Sequence, residues 1–127
     1  MSMSIDSSLS ALDAFSTVQA VAANNVANSL TPGFQPSSAV LEDTATGGAR
    51  VAAITQDAAS GGLMPEPAPA YNAQGQLVQG QTMVPASGTD LTREFTGMIA
   101  NQAAFAANVT AVSTGDQMTG TLLNISA

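Results

Sequence analysis

The chain has 127 residues, of which 45% are hydrophobic and only 9% are charged, and its formal net charge is −7. Two basic residues cannot neutralise a row of phosphates, so this composition argues against nucleic acid and anionic membrane surfaces as partners. Because cysteine and histidine are both absent, the chain cannot form a disulfide, a thiolate or imidazole metal site, or a histidine-based catalytic triad.

The hydrophobic residues are mostly alanine, with four Phe, one Tyr and no Trp. Since alanine buries little surface, we expect thin seams between helices rather than a deep core. The first residues lack the basic and apolar regions of a cleavable signal peptide. No apolar run approaches about 18 residues, so we expect no membrane insertion.

Residues 4–30 have the spacing of an amphipathic helix, with apolar positions at steps of four and three. Pro32 ends this helix because it moves Thr31 out of the helical region, and Gly33 can take a positive φ in the Pro-Gly turn. Phe34 can then fold back onto apolar neighbours. The N-terminal residues predicted to pack on another helix are Ile5, Leu9, Leu12, Phe15, Val26 and Leu30.

The insert from 35 to 89 differs in composition, because it holds five of the six prolines and most of the glycines. Short strands are predicted at 38–43 and 50–56, joined by a turn as a hairpin. Residues 57–70 are predicted to be extended, irregular chain of polyproline character. A tight turn at Gln74 and Gly75 is predicted to lead into a short extended segment.

A second and longer helix is predicted from 90 to 125, with Asp90 as its N-cap. Its apolar stripe has the a/d spacing of a helix that packs on another helix. Gln102 and Asp116 interrupt the stripe. Gln102 either marks where the stripe reaches the protein surface or is buried and fixes the register between helices. For Asp116 the surface position is the favoured interpretation. The residues of this helix predicted to pack are Leu91, Phe95, Met98, Gln102, Phe105, Val109, Val112, Leu122 and Leu123.

No group of residues predicts catalysis. Glu42 and Asp43 are adjacent, but adjacent side chains of a strand point to opposite faces, so they cannot act as a catalytic pair and are expected to be solvated near a turn. The Gly-Gly pairs at 47–48 and 61–62 lack the Lys-Ser/Thr of a phosphate loop and are predicted turns. We therefore expect no catalytic, cofactor-binding or metal-binding residue, no cofactor and no enzymatic activity.

Two blocks at opposite ends of the chain resemble one family. Residues 23–34, A-N-N-V-A-N-S-L-T-P-G-F, are similar to a signature of bacterial flagellar rod and hook proteins, and 90–124 are similar to that family's closing helix. The chain is too short for the large outer domains of hook subunits, so a small proximal rod protein is the nearest resemblance. The motif residues that the resemblance marks are Asn24, Asn25, Asn28, Thr31, Pro32, Gly33 and Phe34.

The resemblance implies a structural subunit of the basal-body rod. It implies a mainly α fold in which 1–34 and 90–127 pair as an antiparallel coiled coil and form one packing unit, with 35–89 as a small β-hairpin and irregular insert. The partners that the resemblance implies for this chain are other axial subunits, further copies of the chain and the flagellar export apparatus. Its expected place is the periplasmic rod, reached without a cleaved signal peptide.

Two other classes of protein are considered. A small secreted helical interaction protein unrelated to flagella would join its helices by a short loop, and the long insert from 35 to 89 disfavours it. An enzyme would need a concave pocket with perturbed acids, which nothing in the sequence marks. Two alanine-rich helices and a small insert bury little as a monomer, so we expect neighbouring subunits to complete the core.

Overall fold

The computed structural model describes residues 2–58 and 61–126. Residues 1, 59, 60 and 127, which fall within the predicted segments 1–34, 57–70 and 90–127, lie outside it. The helices of the described residues are α1 (Ser2–Ala27) and α2 (Leu91–Ser126). The strands form two separate antiparallel pairs, hairpin 1 and hairpin 2. Hairpin 1 consists of β1 (Ser37–Asp43) and β2 (Ala49–Gln56), and hairpin 2 of β3 (Leu63–Tyr71) and β4 (Leu77–Pro85).

The prediction of a mainly α fold with a coiled coil is wrong. Four of the six elements in the described residues are strands, and β3 occupies much of the segment predicted to be irregular. The cause is the alternate spacing of Pro65, Pro67 and Pro69, which pair with every second residue of β4. Alternate residues of a strand direct their amides to the same side, so all three missing N–H groups can lie on the outer edge. The residues between them remain free to pair.

Helices α1 and α2 lie in contact and run in opposite directions. Near the start of α1, a Cβ added to Gly115 would lie 3.2 Å from Cγ1 of Ile5, so the glycine permits a close approach. Near its end, Asn25 Nδ2 donates to Glu94 Oε1 at 3.0 Å. Because α1 has 26 residues and α2 has 36, α2 continues past the start of α1.

Part of the side of α2 that is turned inward lies one position before the predicted stripe, although Met98 and Val112 of the stripe are themselves half-buried. Asn101 is buried where Gln102 is exposed, and the same relation holds for three further pairs: half-buried Glu94, Asn108 and Gly115 each precede an exposed Phe95, Val109 and Asp116. At these four positions the inward side of α2 carries small and polar residues, which allow close approach and hydrogen bonding between helices. A coiled-coil seam of large apolar side chains would need the following positions to face inward.

Hairpin 1 lies along α1. Its base is at Ser37, which is hydrogen-bonded to Asn25, and its tip reaches the first turns of the helix. A Cβ added to Gly48 would lie 3.0 Å from the Ser7 backbone, so the tip and the helix are in close contact. Hairpin 2 contacts no other helix or strand of the described residues.

The interior of the described chain is thin. Its buried hydrophobic side chains are Ala14 and Ala22, both on α1. The accessible surface is 8448 Å², whereas a compact monomer of 12.6 kDa exposes about 6,200 Å². The chain therefore leaves much more surface open than its mass requires, and much of that surface is apolar.

Candidate functional site: a polar joint and an exposed helix face

Four residues meet where α1, β1 and the start of α2 converge, and we call them the polar joint: Asn25, Ser37, Thr89 and Glu94. The Asn25 side chain is fully buried. Its Nδ2 donates to Ser37 O at 2.7 Å and to Glu94 Oε1 at 3.0 Å, while its Oδ1 accepts from Ser37 N–H at 2.9 Å. Thr89 Oγ1 donates to Asn25 O at 3.3 Å. One residue thus holds three segments of the chain together.

The chemistry of the polar joint requires an amide at position 25. The Asn25 side chain donates twice and accepts once, which a carboxylate cannot do because it only accepts. An apolar side chain would leave the Ser37 N–H without this partner. Buried polar groups are tolerated when they are hydrogen-bonded, and no buried side-chain N or O atom of the described residues lacks a partner.

The turn of the Thr-Pro-Gly-Phe motif ties the joint to hairpin 2. Gly33 has φ 69°, the positive value expected of it. Its N–H donates to Pro85 O at 2.8 Å, and Phe34 O accepts from Gly88 N–H at 3.0 Å. The motif backbone therefore fixes both the base of hairpin 2 and the segment that leads into α2.

The other motif residues end α1. Asn28 Nδ2 donates to Asn24 O at 2.9 Å, and Asn28 Oδ1 accepts from Thr31 Oγ1 at 3.2 Å. These bonds occupy carbonyl and hydroxyl groups at the point where the helical ladder stops. Asn24 and Pro32 are exposed. The motif thus divides into Asn25, which joins segments, and the residues that shape the turn.

A second buried asparagine sits between the helices. Asn101 Nδ2 donates to Phe15 O at 2.8 Å and to Gln19 Oε1 at 2.9 Å. These bonds can fix the register between α1 and α2, the role considered for Gln102, which is exposed. Sequence reasoning missed Asn101, although a signal was present. Polar or small residues recur at heptad spacing along this side of α2: Glu94, Asn101, Asn108 and Gly115.

The predicted packing residues divide into two groups. Within the described chain, the half-buried ones are Ile5, Leu12, Phe15, Val26, Met98 and Val112. The exposed ones are Leu9, Leu30, Leu91, Phe95, Gln102, Phe105, Val109, Leu122 and Leu123. We call the exposed apolar residues of α2 that flank its contact with α1, namely Phe95, Ile99, Phe105 and Val109, the exposed helix face. Ile99 was not among the predicted residues.

A groove of about 560 Å³ lies between the two helices. None of the described residues that line it carries a charge, and it is open to solvent. Its shape suits apolar side chains of another helix, which can insert between two ridges. We call it the helix groove, and it is lined by Phe15, Ser16, Gln19, Ala20, Ala23, Asn101, Gln102 and Phe105.

The described part of the chain contains no group of three or more acidic, His or Cys side chains placed to hold a metal ion. Within that part, neither helix has the length and apolar character needed to cross a bilayer. The notable features are thus the polar joint, the exposed helix face and the helix groove.

Two long helices, a joint that holds the insert between them and a broad apolar face are typical of a structural subunit. Two family models match the chain: "Flagella basal body rod protein" over residues 5–35, and "Flagellar basal body rod FlgEFG protein C-terminal" over residues 81–125. Together they cover more than half of its length, and the chain belongs to the flagellar basal-body rod family. The resemblance stated from the two terminal blocks is thereby confirmed. No curated protein matches the chain significantly.

Proposed function

We propose that this chain is a rod subunit that assembles through its terminal helices into a helical, tubular axial structure. A structural role in the basal-body rod follows from the family. The proposal adds that 1–34 and 90–127 act as one packing unit, and that 35–89 is an insert carried on it. Its partners are further copies and other axial subunits.

The observation that carries the proposal is the exposed helix face. Phe95 is 50% exposed and Ile99 is 70% exposed, on a chain whose surface exceeds that of a compact monomer. Large apolar side chains exposed together on one helix are typical of contacts between proteins. Stable permanent interfaces bury roughly 2,000 Å² or more of total surface, which is comparable to the excess. Neighbouring subunits would supply the missing cover.

The proposed route to the rod is the flagellar export apparatus, without a cleaved signal peptide, followed by assembly in the periplasm. The support for this route is membership of the rod family. The thin interior is compatible with it, because unfolding for transit costs little free energy when few apolar side chains are buried. The proposed role requires no catalytic residue.

Phe105→Ala tests the proposal. The Phe105 side chain is 38% exposed and lines the helix groove, so its removal takes apolar area from the monomer as well as from the proposed interface. We expect a loss of about 1–2 kcal/mol in the free energy of unfolding, below the ~3 kcal/mol or more of a fully buried Phe. Incorporation into purified basal bodies, measured by immunoblot, should fall sharply, and motility with it.

Ile54→Ala is the matched control, since Ile54 is an exposed apolar residue on hairpin 1. This variant should enter basal bodies at the wild-type level. Normal incorporation of the Phe105→Ala variant would remove the support for assembly through the helices. Equal loss in both variants would show that the insert shares the packing role.

A further inference from the structure

We propose that the last turns of α2, residues 118–125, dock in the helix groove of a second copy of this chain, so that copies join head to tail. The inference rests on the proposed function and names the contact by which like subunits meet. We call residues 118–125 the overhang.

The overhang follows from the unequal lengths of the helices. Ile5 lies against Gly115, and α1 begins only three residues earlier, at Ser2. Residues 118–125 of α2 therefore run beyond the described start of α1 by roughly 12 Å, at about 1.5 Å per residue. Their large apolar side chains are exposed by half or more: Met118, Leu122, Leu123 and Ile125.

The charge distribution favours a second copy as the occupant. The chain has a net charge of −7, so two copies repel each other over most of their surfaces. Residues 117–127 contain no charged side chain, and none lines the helix groove. The overhang and the groove are thus two surfaces through which copies can meet without placing like charges together.

The sizes of the two surfaces also agree. The α1 side of the helix groove extends from Phe15 to Ala23, which is roughly 12 Å of helix and close to the length of the overhang. The overhang cannot enter its own groove, because the α2 residues that line the groove lie roughly 28 Å from the overhang along one continuous helix. The contact must therefore be intermolecular.

A contact between two different patches of the same chain is heterologous, so each added copy presents a new overhang and a new groove. Such a contact does not end at a two-fold dimer: it builds a ring if the rotation between copies closes and an open array if it does not. If the copies are aligned along a common axis, successive subunits are offset by roughly 28 Å, the distance from the groove to the overhang along α2.

Disulfide cross-linking of the full-length chain tests this contact, because the chain contains no cysteine of its own. Ala23→Cys places a thiol in the groove, and Ile125→Cys places one on the overhang. When the two variants are mixed and oxidised, we expect the mixed dimer to exceed either homodimer. A matched pair, Ala23→Cys with Thr46→Cys at the exposed tip of hairpin 1, should give only the background level.

Adding Leu122→Gln to the Ile125→Cys chain should lower the yield of mixed dimer, with the helix content in circular dichroism unchanged. A mixed yield no greater than that of the control pair would overturn the proposal. Predominant Ile125→Cys homodimers would also overturn it, since they would show overhangs meeting each other. Either result would leave rod incorporation of the wild-type chain intact, whereas absence of that chain from basal bodies would refute the proposed function itself.

Discussion

The two hairpins are built alike but lie in different surroundings. Both are antiparallel pairs closed by tight turns, with Thr44 N–H donating to Gly48 O at 3.1 Å and Asn72 N–H donating to Gln76 O at 3.0 Å. Hairpin 1 packs on α1 along both strands, whereas hairpin 2 contacts no other helix or strand in the described ranges. The two hairpins have the same antiparallel pairing, yet only hairpin 1 packs on a described helix. Whether a hairpin packs on the rest of the chain therefore depends on the contacts of its base and tip more than on its strand pairing.

Hairpin 2 is held at its base. An isolated two-stranded hairpin is only marginally stable in water, so these attachments matter. Gly33 N–H donates a hydrogen bond to Pro85 O at 2.8 Å, and Ala86 N–H donates one to Gly62 O at 2.7 Å. The prolines of β3 also reduce the conformational freedom of the unfolded chain, which favours the paired state. Because hairpin 2 is attached to the described chain only at its base, its two strands are available to contact a neighbouring molecule and are not part of the monomer's interior.

The largest expected effect comes from Asn25→Ala, which removes the link between the base of hairpin 1 and α2. The Ser37 N–H would lose its partner in a buried position, and the Glu94 carboxylate would lose a donor. We expect a loss of roughly 3 kcal/mol in the free energy of unfolding, since each unsatisfied buried group costs about 1–3 kcal/mol. Urea denaturation followed by circular dichroism measures it.

The control for that substitution is Asn24→Ala, because Asn24 is the exposed neighbour of the same type. Its expected change is within about 0.5 kcal/mol. Equal losses for the two variants would contradict the central place given to the Asn25 side chain.

A smaller effect is expected from Gly48→Ala, which tests the contact between hairpin 1 and α1. Gly48 has φ 103°, and an added Cβ would meet the Ser7 backbone at 3.0 Å and the Ser10 hydroxyl closer still. The methyl group must push the tip away from the helix. We expect a loss of about 2 kcal/mol, from backbone strain of about 1–2 kcal/mol together with lost packing.

Gly75→Ala is the equivalent change in hairpin 2, where φ is 74° and an added Cβ meets nothing within 4 Å. Only backbone strain remains, so we expect the free energy of unfolding to fall by about 1 kcal/mol. Hydrogen exchange should show faster exchange along β1 and β2 in the Gly48 variant alone. If the two glycine substitutions are equally costly, the contact of hairpin 1 with α1 contributes nothing measurable.

The smallest effect is expected from Leu77→Ser in hairpin 2. This side chain is 65% exposed, and its strand lies apart from the helices. The free energy of unfolding should change by no more than about 0.5 kcal/mol. A loss above about 1 kcal/mol in thermal denaturation would mean that hairpin 2 is packed in the monomer, and the contrast between the hairpins would fail.

Much of the local structure follows from sequence patterns. Hairpin 1 was predicted at 38–43 and 50–56 and lies within one residue of those bounds. The stop of the first helix was predicted from Thr31 and Pro32, because the chemistry of a Pro-Gly turn is local. Family membership likewise followed from short blocks of residues.

Other features could not be predicted, because they depend on groups distant in sequence. The strand β3 was missed because prolines count as strand breakers unless their amides all face an open edge. Part of the inward side of α2 was placed one position too late, at Gln102 and not at Asn101, because Asn101 finds its partners on α1 and not in its own helix. The buried state of Asn25 depends on Ser37 and Glu94, which no local pattern brings to it.

The absence of charge from the end of α2 and from the helix groove has a consequence for the surroundings in which copies can hold together. Dissolved ions weaken attractions between charged groups over about 10 Å at 0.1 M ionic strength. A contact made only of apolar and neutral side chains has no such attraction to lose. Added ions would instead screen the repulsion between the acidic surfaces of two copies outside this contact. Lowering the ionic strength would therefore weaken the association of copies more than raising it would.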